Sequence, residues 1–269
     1  MSSGMDDPTT PRFEAILTPR RYQQVADKIS EEIDAGRLAA GSRLPPEREL
    51  AVQFGVSRPT IREALIALEI MDLIEIRPGA GIFVKASPPA RSGVQPVTGP
   101  GPFEILEARR IVEGEIAALV APQISERTIA RLEDCIALMV EENAADYTSY
   151  VGDRRFHETI AAETQNSALV DIVKYFWEQR STAPLSLRLH EQVAPAEIRL
   201  KAVDEHRLIV DAFRSHSAEA ARRAMQRHMT RVMRALLTRW QALTAEEPET
   251  AKLANATIVQ RIPREELGA

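Results

Sequence analysis

The stretch from Leu44 to Val84 constrains this chain more than any other. Pro45 and Pro46 preset φ at a helix entrance, and the helix they open is predicted to run from about Glu47 to Gln53 before Phe54-Gly55-Val56 turns the chain. Ser57 then stands where it can cap a second helix, Pro59 is tolerated in the first turn, and Ile61, Ala64, Leu65 and Leu68 recur at helical spacing. One face of that helix packs. The other, at its amino-terminal end, offers Arg58, Thr60 and Arg62, where a recognition helix places side chains toward base edges and phosphates. The period then changes: Leu73–Ile76 and Ile82–Lys85 read as two short strands around Pro78-Gly79-Ala80-Gly81, a hairpin whose glycines let its tip approach another molecule's backbone. A helix-turn-helix followed by a β-wing is a DNA-binding module. On an arbitrary helix such arginines are solvated surface charges; in this spacing they read as DNA contacts.

Bulk charge does not make that argument. The chain carries a formal charge of −5, and within residues 43–85 six Lys and Arg face six acids. Attraction to phosphate must come from how a few arginines are pointed. At 269 residues and 44% hydrophobic the chain is long enough for two cores. Cys135 is alone, so no disulfide framework exists and a reducing cytoplasm is the expected compartment. Met1 to Pro11 are small, polar and acidic, unlike a signal peptide, and no run reaches the length of a membrane span.

The expected organisation follows the composition. Residues 1–19 read as a flexible arm, and 20–85 as a winged helix-turn-helix domain whose first helix begins near Arg21, buries Tyr22, Val25, Ile29 and Ile33, and ends at Gly36. Residues 86–102, with five prolines among 17 positions, read as a linker. From 103 to 243 the pattern is helical throughout, with helices predicted near 103–121, 125–143, 146–163, 167–181, 194–215 and 217–242 and N-caps at Ser125, Ser167 and Ser217. The fold class is therefore mainly α: a winged head with a small hairpin, then an all-α bundle. Residues 244–269 read as a disordered tail.

The bundle carries a second constellation. Asp153 and His157 are four apart and share a helical face, a pair that alone is more often an ion pair than a metal site. His206, ahead of Ile209, Val210 and Phe213, and His228, between Ala224, Met225 and Val232, fall at inward-compatible positions of the last two helices. One carboxylate and three imidazoles from three helices would satisfy a borderline divalent ion and leave coordination positions open. His190 and His216 lack such company and read as surface residues.

The segments 44–51, 56–65 and 77–84 resemble the winged helix-turn-helix signature of the GntR family of bacterial transcription regulators. By position, Arg48, Arg58 and Arg62 resemble the family's DNA-contacting arginines, Thr60 a further contact and Gly81 the wing-tip glycine; Pro59 departs by removing a hydrogen-bonding side chain. The runs 106–113, 153–157 and 164–166, with Glu205-His206 and Gln226-Arg227-His228, resemble the effector domain of the FadR-like (FCD) branch. That resemblance implies a divalent transition metal (zinc, or else nickel or manganese) held by Asp153, His157, His206 and His228, and a small carboxylate effector clamped by Arg109. Without that role, Arg109 would simply pair with Glu113, its i+4 neighbour. The segments 101–106, 162–169 and 177–181 are similar to regulators of hexuronate utilisation, which implies a sugar acid whose hydroxyls Asn166, Gln179 or Arg180 would bond if they face the cavity.

The implied activity is a homodimeric regulator, a repressor, on an imperfect palindrome in double-stranded operator DNA, with no membrane partner and no enzyme activity. Arg48 would anchor phosphate, Arg58 and Arg62 would discriminate bases, and the effector would release the DNA. Three other readings compete with it: a metal-dependent enzyme acting on a small carboxylate with an appended DNA-binding head, a regulator sensing fatty acyl thioesters, and a nucleoid-type protein. Against the first, no further carboxylate or nucleophile stands beside the ligands at general-base spacing.

Overall fold

The computed structural model of the chain describes residues 19–88, 97–145, 150–193 and 196–244. The expected arm up to residue 18, linker residues 89–96, the helix start at 146 and the tail from 245 lie outside the described residues.

The head opens with α1 (Arg21–Asp34), which buries Tyr22, Val25, Ala26, Ile29 and Ile33 at helical spacing. Next comes α2 (Glu47–Phe54), stopped by Gly55 at φ 64°, a left-handed cap that costs glycine nothing. The recognition helix α3 (Arg58–Ile70) is capped as expected: the Ser57 hydroxyl accepts the Thr60 N–H at 3.3 Å, with Pro59 in the first turn. Its burial is wider than one face, since every residue from Ile61 to Leu68 is buried. Helices α1 and α2 cover one side of it, and elements of the bundle cover another. The wing is β1 (Ile74–Arg77) against antiparallel β2 (Gly81–Val84), with Ile74 opposite Val84 and Arg77 opposite Gly81. Ile74, Ile82 and Val84 face inward and join the head to one core.

The bundle holds α4 (Pro102–Val120), α5 (Glu126–Ala144), α6 (Val151–Glu163), α7 (Ser167–Thr182), α8 (Pro184–Val193), α9 (Ala196–Arg214) and α10 (Ala218–Thr244). Helix α4 lies along α10, α5 packs on α6 and α9, and α6 packs on α7. Gly114 sets how closely α4 and α10 approach: a Cβ there would come within 2.8 Å of Gln226 Cγ. One helix more than expected is present. Ala183 takes an extended conformation, ψ 128°, and Pro184 opens α8 at the first position, where its missing N–H costs no hydrogen bond. Ser125 and Ser217 cap α5 and α10, accepting from Thr128 and Ala220 at 3.2 Å each. The cap of α7 is Asn166 and not Ser167, because Asn166 Oδ1 accepts the N–H groups of Ala168 and Leu169.

Head and bundle share a continuous apolar cluster running from Tyr22 and Leu65 through Phe103 to Trp240. The Tyr22 hydroxyl donates to the Gly99 carbonyl at 2.9 Å, so the end of the expected linker is fastened against α1. Glu63 of α3 caps α4: its Oε1 accepts the Phe103 N–H at 2.9 Å, and a Cβ on Gly101 would fall 2.2 Å from its Cδ. Burial pushes the Glu63 carboxyl up to about 8. Arg188 of α8 donates to Glu69 of α3 at 3.2 Å. Among the described residues, no helix is long and apolar enough to cross a membrane.

Candidate functional site

Helix α6 turns Asp153 and His157 to one side, where they meet His206 from α9 and His228 from α10. One oxygen or nitrogen from each residue lies within 4.8 Å of all the others. Asp153 Oδ1 is 3.4 Å from His157 Nε2 and 3.1 Å from His206 Nε2, and those two nitrogens are 3.4 Å apart. All three imidazoles are buried. Each is aimed from behind through Nδ1. The Glu113 carboxylate abuts that of His157, the Ala202 carbonyl takes that of His206 at 2.7 Å, and Glu205 takes that of His228 at 2.8 Å. With protons kept at Nδ1, the Nε2 lone pairs turn inward. They then confront one another and Asp153 Oδ1, which is buried without a hydrogen-bond partner. Lone pair against lone pair is unfavourable unless a cation stands between them, and this donor set fits a divalent metal ion.

The surroundings hold both carboxylates at the cluster ionised. Burial opposes ionisation of Glu113, but Arg109 and His157 beside it hold the carboxyl at about 2. Burial likewise opposes ionisation of Asp153, yet His157, His206 and Arg180 keep it well below the usual carboxylate range. His157 feels burial pushing its pKa down and Glu113 and Asp153 pushing it up more, so it is raised. His228 is lowered to about 4 by burial, with His206 adding to the effect.

Asp153, His206 and His228 form one wall of a cavity that also meets Arg109, Arg180 and His190. Arg109 donates from Nε to Glu113 at 2.6 Å, and its guanidinium lies 4.7 Å over the Trp177 ring. Its Nη2 is buried with no hydrogen-bond partner, an unspent donor in a largely apolar chamber. Arg180 packs on the rings of Tyr150 at 3.9 Å and Trp177 at 4.8 Å, and donates to Asp153 Oδ2 at 3.0 Å. Two of the expected hydroxyl-binding residues do not reach this space. Asn166 is consumed in capping α7 at the surface, and Gln179 points toward Gly99. His190, read from sequence as a surface residue, lines the cavity; His216 is exposed.

On the head, Arg48 is exposed on α2. Arg58 is half exposed, 3.6 Å from Glu47, and the Thr60 and Ser57 hydroxyls share a hydrogen bond at 2.8 Å. Gly81, at φ 111°, lies beneath the Arg43 side chain, where a Cβ would come within 2.7 Å of Arg43 Nε. Arg62 departs most from its expected free face, at 1% exposure. Its Nε donates to Glu47 Oε1 at 3.1 Å, and its Nη2 lies in ion-pair contact with Glu47 Oε2 at 3.0 Å. Glu47 Oε1 also accepts the indole N–H of Trp240 from α10. The Gln241 amide oxygen, in its hydrogen-bonded orientation, accepts from Arg62 at 3.1 Å and from Arg58 at 2.8 Å. Carboxylate, indole and amide together keep this arginine out of solvent.

Sequence reasoning missed Glu113 and Glu205 as supports of the cluster, although a signal existed. Glu113 stands four residues after Arg109, and Glu205 directly precedes His206. The Glu47–Trp240 contact joins positions 193 apart and had no local signal.

Residues 21–84 match the family described as bacterial regulatory proteins, gntR family, and residues 104–231 match the FCD domain. Over 233 residues the chain is 36% identical to the Uxu operon transcriptional regulator of Escherichia coli K12, covering 83% of this chain and 89% of that one. It is 36% identical over 228 residues to the Exu regulon transcriptional regulator of the same strain, with 81% and 86% covered. It is 30% identical over 220 residues to the Uxu operon regulator of Haemophilus influenzae Rd, with 80% and 82% covered.

Proposed function

This chain belongs to the gntR family of bacterial regulatory proteins, in the FadR-like branch that carries an FCD domain, a family of DNA-binding transcription regulators; from that premise we propose that a small carboxylate, a hexuronate or related sugar acid, governs its hold on operator DNA. Asp153, His157, His206 and His228 would hold a divalent metal, with zinc suiting the three imidazoles best. When bound, that ion supplies a Lewis-acid anchor for a carboxylate. Arg109 orients the same carboxylate through its unpartnered Nη2, and the apolar cavity wall excludes competing water. The observation that carries this reading is the meeting, in one cavity, of a convergent ligand set and a buried arginine donor with nothing to bond. The names of the relatives support a regulator over an enzyme, and they support a sugar-acid signal together with the hexuronate-regulator landmarks in the sequence.

Two copies joined through their bundles would set two heads on the half-sites of an imperfect palindrome. Arg48 anchors phosphate, Thr60 and Gly81 adjoin the backbone, and Arg58 and Arg62 read bases. Arg62 cannot read while Glu47, Trp240 and Gln241 enclose it, so the described arrangement is the closed one. Ligand and operator then compete by favouring different arrangements, and the protein acts as a repressor released by its effector. A gel-shift titration of metal-loaded protein on its operator tests this: a saturating uronate should weaken binding by roughly 5- to 150-fold. Unchanged operator affinity across a panel of uronates and aldonates overturns the reading.

A further inference from the structure

Helix α8 places His190 on the wall of the effector cavity. Its Nδ1 lies 2.6 Å from the Ser186 carbonyl, one helical turn back. A carbonyl only accepts, so Nδ1 carries the proton and Nε2 of the neutral ring is left as a bare acceptor. That nitrogen has no partner among the described residues. The ring stands edge-on to Tyr150, 6.1 Å between centroids, and Tyr150 in turn supports the Arg180 guanidinium that holds Asp153. A line of contacts therefore runs from the ligand set through Arg180 and Tyr150 to His190. Burial, helped by the nearby Arg180 charge, lowers the His190 pKa to about 4 and keeps the ring neutral at physiological pH.

The cavity wall thus carries groups of two kinds. Arg109, Arg180 and the ligand set are charged or metal-binding. His190 is a neutral acceptor, and the same wall includes Glu142, whose carboxylate accepts the Val151 and Gly152 N–H groups at 3.0 and 3.2 Å. We propose that His190 Nε2 accepts a hydrogen bond from a hydroxyl of the effector, so that this cavity selects hydroxylated monocarboxylates over alkyl monocarboxylates and over dicarboxylates. An alkyl chain leaves the imidazole acceptor dry and unpaired. A second carboxylate meets the Nε2 lone pair on a wall that also carries the Glu142 carboxylate. The selection rests on the effector reading above and sharpens it to a class: one acid group for the metal and Arg109, and a hydroxyl for His190.

Affinities of the metal-loaded full-length chain for glucuronate, galacturonate, hexanoate and galactarate, measured by calorimetry, test the assignment with His190→Phe and His190→Gln. His190→Phe keeps an aromatic edge toward Tyr150 but has no acceptor; His190→Gln restores an amide oxygen. The expected pattern is a wild type that prefers a uronate to hexanoate and to galactarate. His190→Phe should lose that preference over hexanoate by roughly 3- to 10-fold, the worth of one neutral hydrogen bond, and His190→Gln should recover part of it. Metal content should be equal in all three proteins. A uronate-to-hexanoate ratio that His190→Phe leaves unchanged overturns the role of His190 and leaves the effector reading standing. A wild type that binds none of the four acids overturns both.

Discussion

Replacing Trp240 by alanine tests the closed arrangement directly. The indole is fully buried, and its N–H donates to the Glu47 carboxylate that also grips Arg62 through two nitrogens. Were the head to stay docked, the empty site would cost about 3–5 kcal/mol, the usual penalty for deleting a core aromatic. The head has an alternative, which is to leave α10. The loss is therefore capped at the free energy of docking, and whatever docking loses, Arg62 gains in exposure. If operator binding requires a free Arg62, the apparent dissociation constant is the intrinsic one divided by the fraction undocked. Each ~1.4 kcal/mol removed from docking should then tighten operator binding about ten-fold, until the undocked fraction approaches one. Fluorescence anisotropy at one fixed salt concentration, on a duplex selected from random sequence by the wild type, measures the change. Trp240→Phe should give a smaller gain, because it keeps most of the apolar contact and loses only the N–H. Equal operator affinity in wild type and Trp240→Ala, with helix content retained, would refute the reasoning.

Other consequences are simpler to check. His206→Ala removes the imidazole nearest Asp153 and should lose bound metal by elemental analysis; equal metal in variant and wild type would remove His206 from the ligand set. Arg109→Lys keeps a charge beside Glu113 but loses the planar fork, so the thermal shift produced by a uronate should shrink by the equivalent of ~1–2 kcal/mol of binding while metal content holds. Glu63 gives a pH test. Its carboxyl is raised to about 8 in the folded chain, so between its ordinary range and pH 8 the folded state keeps a proton that the unfolded state has released. Stability from this group is thus greatest at low pH and falls as pH rises, by up to ~1.4 kcal/mol per unit, levelling off above 8. Glu63→Gln, which retains an oxygen for the Phe103 N–H, should flatten that part of a urea-denaturation pH profile, and a slope left unaltered would count against a buried proton there.

What the sequence made legible was local. The helix-turn-helix and wing follow from Ser57, Gly55 and the apolar repeat on α3, all of which act within a few residues. The bundle follows from helical periodicity, and Asp153 with His157 from an i,i+4 relation that any helix imposes. The illegible parts depend on encounters between distant segments. Arg62 reads as a free cation until Trp240 and Gln241 arrive from α10. His190 reads as a surface residue because no local signal announces the ten-residue α8 that Pro184 opens; once that helix forms, Leu185 and Leu189 bury and carry His190 inward with them. Asn166 looked available for a ligand until the start of α7 claimed its amide oxygen.

Helix α4 begins at a hydrogen bond to Glu63 of the recognition helix and carries Arg109 only six positions beyond Phe103, about 9 Å at the rise of an α-helix. So short a rod does not bend appreciably between its ends. If a guest acid tugs Arg109 by even one ångström along the axis, the first turn must travel too, and the carboxyl of Glu63 either follows, turning the reading helix, or lets go. Message and mouthpiece are in this way separated by less than two turns of a single stiff element, with the Glu63 carboxyl as the joint between them.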